Sequence, residues 1–304
     1  FPALYMGIVL LTAVLVASGI IFPGFWGVRA WIPAILLIVL VGIPHGAADH
    51  LIFARLSKER WGRSRWLYFF VTYLGLMGLY GVLWWQFPIL SLLLFLLISA
   101  YHFGQANWSF LQVEQKSVQV IIGTIWGIWA LFTPLLLQFD AASAIIIQIA
   151  GEAPLIPGNK LIWAAMLFGI NLLVILALWM TGLLQRKEFF REGLHLVLLE
   201  LLFFNLPLLL SFAVFFTLWH SLGSMQDQVV FFSGKTKGYR WKNYIKQILP
   251  MTFLALLGLA GFIWWQHSSL LEGNLGALFV FISILTLPHM VLMEYLYEYL
   301  NKNW

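Results

Sequence analysis

Residues 193–232 read GLHLVLLELLFFNLPLLLSFAVFFTLWHSLGSMQDQVVFF, a nearly unbroken apolar stretch. About 20 residues of helix cross a bilayer, so this is either one over-long helix or two helices joined by a tight turn near Asn205, Pro207 and Ser211. The choice sets the orientation of everything after it, and loop charge makes the choice. Arg55, Lys58, Arg60, Arg63 and Arg65 follow the second apolar block, Lys116 the fourth, and Arg186, Lys187 and Arg191 the sixth. Lys235, Lys237, Arg240, Lys242 and Lys246 come after the stretch, and Lys302 nears the end. With two helices in 193–232, all of these fall on one side and only Arg29 and Lys160 lie opposite. With one helix the asymmetry largely vanishes. Basic residues collect on the cytoplasmic side, so the sequence predicts two helices here, ten spans in all, and both termini cytoplasmic.

Working outward, the rest of the chain has the same character. Of 304 residues, 62% are hydrophobic and 10% charged, where a soluble domain has about a quarter of its residues charged. The expected spans are 3–22, 32–53, 66–86, 88–110, 118–138, 161–184, 193–210, 212–232, 246–266 and 275–299. The fold class is an all-α polytopic transmembrane bundle, read as a single domain without internal repeat or low-complexity linker. The loop 139–160 holds an apolar run, Ala144 to Ala150, that predicts a short interfacial helix on the outer side. Formal net charge is +5, but the basic residues sit in short loops between apolar blocks, which argues against a nucleic-acid partner. No cysteine is present, which removes disulfides, thiolate metal sites and cysteine nucleophiles together. The chain begins at Phe1 rather than Met, so a short N-terminal stretch is expected to precede it. The first apolar block is too long for a cleaved signal.

Four histidines carry the functional signal: His45 in GIPHGAADH, His102 in SAYHFGQANW, His220 in TLWHSLGSMQD and His289 in TLPHMVLMEY. They belong to the second, fourth, eighth and tenth spans, all running outside to inside, each at a similar distance past the start of its helix. At about 1.5 Å rise per residue, the four imidazoles are expected to share one layer in the inner half of the membrane. An ionisable side chain in hydrocarbon is costly and marks function by default. A lone histidine there is more often a neutral group bonded to a neighbouring helix. Four at one depth favour a metal centre, because neutral imidazole is the commonest metal ligand and bundles build metal sites from inward-facing side chains.

The neighbourhood of each histidine adds to this. Pro44 and Pro288 each directly precede a histidine, and a proline inside a helix removes a backbone hydrogen bond and bends it. Gly46 and Gly104 are expected to reduce bulk beside two of the imidazoles. Asp49, four residues after His45, lies on the same helix face. It is expected either to accept the second ring N–H of His45 or to pair with Arg55. His50, His195 and His267 are read as interfacial or structural. Most of the 16 tryptophans and 26 phenylalanines belong to interfacial belts and packing. Tyr101, Phe103, Trp108 and Trp219 flank the histidine layer and are candidates to line a cavity for a flat, conjugated, apolar substrate.

At these motifs the chain resembles the Brp/Blh family of membrane-embedded bacterial and archaeal β-carotene dioxygenases. GIPHGAADH resembles the family's first histidine motif and LLLFLLISAYHFGQAN its second, while WHS and LPHMVLMEYLY match later ones in order. The resemblance covers nearly everything beyond the first span. It implies cleavage of the central double bond of β-carotene by O₂ to give retinal, Fe(II) held by histidines, carotenoid taken from membrane lipid, and residence in a bacterial or archaeal inner membrane. Carried over by position, His45, His102 and His220 match family iron ligands, and His289 matches a further family histidine. The family pattern has another histidine where this chain has Ser224, and tends to have Asp where it has Asn107. Ser224 and Asn107 are therefore expected beside the site rather than as ligands, which leaves His289 to complete the coordination, water to fill the gap, or the metal to be lost; the first is favoured, because His289 is expected at the same depth and follows a helix-bending proline.

Two other readings compete. Ser224 favours a catalytically inactive carotenoid-binding or structural subunit of a membrane complex. A small-molecule transporter ranks third, since broken helices fit one but no inverted repeat does.

Overall fold

The computed structural model describes residues 2–57, 62–111, 113, 115–234, 238–265 and 275–303. All regular structure among them is helical, without a strand. Nine of the described helices are long and apolar enough to cross a membrane. Leu67, Val71, Leu74, Leu79 and Val82 stand exposed along one of them, and such side chains in number make a surface suited to lipid rather than water. The protein is an all-α integral membrane protein.

The decisive stretch is two helices. α10 (Arg186–Asn205) ends where Leu206 turns extended, with ψ of 151°. Pro207 is the cause, because a proline disfavours helical geometry in the residue before it. α11 (Leu208–Val214) begins directly afterwards. The break therefore falls at Leu206–Pro207, and Ser211 lies inside α11, buried, donating to the Leu208 carbonyl at 3.1 Å. α10 also starts earlier than position 193. Glu188 accepts a hydrogen bond from the Gln185 N–H at 2.8 Å and fixes its first turn. At 20 residues α10 is long enough to cross, but Arg186, Lys187, Glu188, Arg191, Glu192 and Glu200 keep it outside the apolar nine.

The chain gathers into two compact units. The first comprises residues 1–38, 99–144 and 154–220. It holds α1 (Pro2–Ile21), α2 (Trp31–Leu37), the C-terminal part of α6 (Pro88–Asn107), α7 (Lys116–Leu137), α9 (Lys160–Met180), α10 and α11. Here α7 packs on α9, α10 and α11, and α1 packs on α10. Small residues set the closest approach: a Cβ on Gly104 would lie 1.6 Å from the Gly123 carbonyl oxygen, and one on Gly127 would lie 1.7 Å from that of Ala100. Ala100 and Gly104, four apart on α6, face Gly123 and Gly127, four apart on α7, which is the small-residue geometry of close membrane helix pairs. Gly104 thus serves backbone contact rather than room beside an imidazole.

The second unit comprises residues 39–98, 145–153 and 221–304. It holds α3 (Ile43–Gly46), α4 (Asp49–Leu56), α5 (Arg65–Gln86), α12 (Leu222–Ser233), α13 (Trp241–Trp265) and α14 (Leu275–Asn303). α14 packs on α4 and α5, while α12 and α13 pack on α3. The expected short helix in 139–160 is α8 (Phe139–Ala150). Within the second unit its Gln148 side chain accepts the Gly276 N–H at 2.9 Å.

Two segments depart from α geometry. Ile38–Gly42 and Phe215–Ser221 are π-helical, a form that appears mostly as short insertions, frequently at functional sites. The first ends against Pro44, which has no N–H with which to continue either helical pattern.

Candidate functional site

In the second unit, His45 and His289 meet with ring centroids 4.6 Å apart and planes at 84°. His45 follows the first π segment, on α3; His289 follows Pro288, inside α14. Both are buried. His45 Nδ1–H donates to the Gly42 carbonyl. His289 Nδ1–H donates to Asp49 Oδ1 at 2.8 Å. The Tyr73 hydroxyl donates to the other carboxylate oxygen, Oδ2, at 2.9 Å. Both Nδ1–H groups are thus committed to oxygen acceptors, an arrangement that turns the Nε2 side of each ring away from those acceptors.

Asp49 serves His289, not His45 and not Arg55. A turn at Ala47–Ala48 separates α3 from α4, so positions 45 and 49 do not share a continuous helix face. Asp49 instead opens α4, where the helix dipole favours an anion. Arg55 donates to the Phe232 carbonyl at 3.0 Å and lies over the Phe231 ring at 4.9 Å. Gly46 does leave room beside an imidazole: a Cβ there would be 3.7 Å from His289 Nδ1.

Ser224 is buried on α12, its hydroxyl 3.4 Å from Gln228 Nε2. Gln228 also donates to the His45 main-chain carbonyl at 3.2 Å and accepts from the Tyr244 hydroxyl at 2.6 Å. Sequence reasoning passed over Gln228, Tyr73 and Tyr244. Their signal was polarity within apolar spans, where a side chain needs a partner on another helix.

In the first unit, His102 on α6 and His220 in the second π segment form another buried pair, with centroids 4.9 Å apart at 77°. His102 lies two residues from both Ala100 and Gly104, about half a turn from the face that touches α7. Phe103 lies 4.6 Å from the His220 ring, and Phe216 stacks on it at 5.9 Å and 19°. Phe215 and Trp126 continue the aromatic wall.

The remaining cavity candidates have other contacts. The Trp219 indole donates to Thr12 Oγ1 at 3.0 Å and its ring meets His195 at 4.9 Å. The Tyr101 hydroxyl accepts from Gln105 at 3.1 Å. Trp108 is buried and packs against Phe110 at 5.9 Å.

Asn107 belongs to another cluster of the first unit, built around the buried Glu192 and His195. Its Nδ2 donates to Glu192 Oε2 at 3.2 Å, and Arg191 Nε donates to Oε1 at 2.9 Å. His195 Nδ1 is 3.4 Å from Glu192 Oε2, and its Nε2 is 2.9 Å from the Tyr5 hydroxyl. His195 is thus a buried structural histidine. His50 is half-buried beside Trp66 and Phe69, and His267 lies outside the described residues.

Imidazole nitrogen is a donor that iron accepts, and the four buried histidines form two pairs in an apolar surround. Each pair supplies two nitrogens. Among the described residues no group of three or more His, Cys, Asp or Glu side chains is gathered so as to hold an ion.

Fold and site together define a polytopic membrane protein with paired intramembrane histidines. The family model described as Beta-carotene 15,15'-dioxygenase matches residues 36–297, and the chain belongs to that family. It is 26% identical over 276 residues to a beta-carotene 15,15'-dioxygenase of Uncultured marine bacterium 66A03, covering 87% of this chain and 93% of the relative. It is 25% identical to the probable beta-carotene 15,15'-dioxygenase Blh of Halobacterium salinarum, covering 97% and 92%. No solved structure matches significantly.

Proposed function

We propose that this protein cleaves the central double bond of β-carotene, or of a closely similar carotenoid, with O₂ to give two aldehydes of the retinal type. Atoms balance with one oxygen of O₂ delivered to each carbon of the broken bond. Fe(II) is the cofactor of this reading, with His45, His102, His220 and His289 as its candidate ligands; when bound, it supplies the O₂ activation that an apolar polyene cannot provide. The observation that carries the reading is the paired, buried histidines, at the motifs of a family whose named members are β-carotene dioxygenases.

The chain's own residues do the rest. Asp49 and the Gly42 carbonyl hold the protons of His289 and His45 on Nδ1. Phe103, Phe216 and Phe215 form an apolar surface beside His220 suited to a conjugated chain and hostile to water. Carotenoid dissolves in the bilayer, so an intramembrane site receives it from lipid. The location assigned is the inner membrane of a bacterium or archaeon.

Expression in a β-carotene-producing bacterium is expected to bleach the cells and accumulate retinal, with loss on His45→Ala or His102→Ala. Cells that stay orange despite verified membrane expression and iron supply would overturn the reading. They would favour a carotenoid-binding protein without catalysis, the alternative that Ser224 supports, because its hydroxyl is a poor iron ligand and is engaged with Gln228.

A further inference from the structure

We propose that Asp49 and Tyr73 are positioning residues for His289, fixing its tautomer and ring orientation so that Nε2 is held ready as a metal ligand. This rests on the reading above in one respect, that His289 binds the metal. Three elements contribute: Asp49 opens α4, Tyr73 lies within α5 and His289 lies within α14. α14 packs against both of the others, so the arrangement is built between helices rather than along one.

The hydrogen-bond logic is directional. A carboxylate accepts and does not donate. Asp49 offers one oxygen to the Tyr73 hydroxyl at 2.9 Å and the other to His289 Nδ1 at 2.8 Å. With Tyr73 donating to Oδ2, Oδ1 faces the imidazole, and the proton of His289 is drawn onto Nδ1. Asp49 and His289 are both buried, so water does not substitute for either partner. The Tyr73 hydroxyl is also 3.5 Å from the Leu285 carbonyl, one turn before His289 on α14, which ties the carboxylate's orienting group to the histidine's own helix. A carboxylate behind a ligating histidine raises its basicity, and its loss commonly costs about 10–100-fold in metal affinity.

The arrangement bears on Ser224. On α12, Ser224, where the resemblance expects a histidine, is bonded to Gln228, while His289 on α14 has a carboxylate and a phenol to orient it.

The test uses full-length metal-free protein in lipid nanodiscs, labelled with ¹⁵N-histidine, with Co(II) as the metal probe. The His289 resonances are identified by their loss in His289→Gln. In the wild-type protein His289 is expected to show a protonated Nδ1 and an unprotonated Nε2. In Asp49→Ala that signature is expected to give way to the other tautomer or a mixture, and Co(II) affinity to fall by about 10–100-fold. Asp49→Asn preserves shape and serves where the alanine variant does not fold; its amide presents either an oxygen or an NH₂ group, so both tautomers are expected to populate. Tyr73→Phe is expected to keep the tautomer with a smaller loss of affinity. An unchanged Nδ1–H signature in both folded Asp49 variants overturns the proposal, whatever happens to Co(II). A tautomer that shifts as expected while Co(II) affinity stays constant upholds the positioning and overturns His289 as a ligand.

Discussion

Asp49 Oδ1 lies 2.8 Å from His289 Nδ1, across 240 residues of sequence. No local rule pairs them. Asp49 is four residues from His45 and six from Arg55, and it bonds to neither side chain because the turn at Ala47–Ala48 re-aims α4 toward α14. The consequences reach beyond this pair.

If the four motif histidines hold Fe(II), protein purified from iron-replete cells should carry iron, and stripping it should lower Tm, since a ligand that binds only the folded state stabilises it. Replacing His45, His102, His220 or His289 with alanine should abolish iron retention. His50→Ala and His195→Ala should keep it, because those rings pack against Trp66 and Trp219 in structural roles. Metal analysis of the purified variants checks this, and equal iron in all of them would count against the assignment.

The close contact of α6 and α7 makes a packing prediction. Gly104→Ala and Gly127→Ala would drive a methyl group into a carbonyl oxygen at under 2 Å. Overpacking of this kind costs about 1–3 kcal/mol or more, with a lower Tm and reduced yield of monodisperse protein. Gly169→Ala, where nothing lies within 4 Å, should fold as well as the parent or better, alanine being the stronger helix former. Thermal melts in detergent separate these outcomes.

Asn107 and Glu192 form a coupled pair. Asn107→Asp removes the donor to Glu192 Oε2 and sets a second carboxylate beside a buried one. A loss of about 1–3 kcal/mol is expected. Glu192→Gln introduced into Asn107→Asp should recover part of it, so the double mutant should be more stable than the two single effects added together. Strict additivity in a double-mutant cycle would show that the two side chains do not interact.

Orientation is open to direct labelling, since the chain has no cysteine. Ser64 and Glu152 are both exposed. The charge asymmetry puts Ser64 on the cytoplasmic side and Glu152 on the outer side. In intact cells a membrane-impermeant maleimide should label Glu152→Cys and spare Ser64→Cys until the membrane is opened. The reverse pattern would invert the topology.

The sequence by itself determined the membrane class, the helices and the motif histidines, because these follow from local physics. About 20 apolar residues must form a helix in lipid, where backbone groups have no other partner. Pro207 ends α10 whatever surrounds it, which is why the break in 193–232 was legible to within a few residues. Tertiary structure decided how the histidines are partnered. The pairs His45–His289 and His102–His220, the service of Asp49 to His289, and the anchoring of Gln228 on the His45 carbonyl join residues far apart in the chain. The regular-helix assumption also hid the π segments at Ile38–Gly42 and Phe215–Ser221, since periodicity assumes 3.6 residues per turn and a π insertion shifts that register beside His45 and His220. Which face a side chain shows, once a helix is broken or underwound, depends on the helices packed against it, and sequence spacing alone does not carry that information.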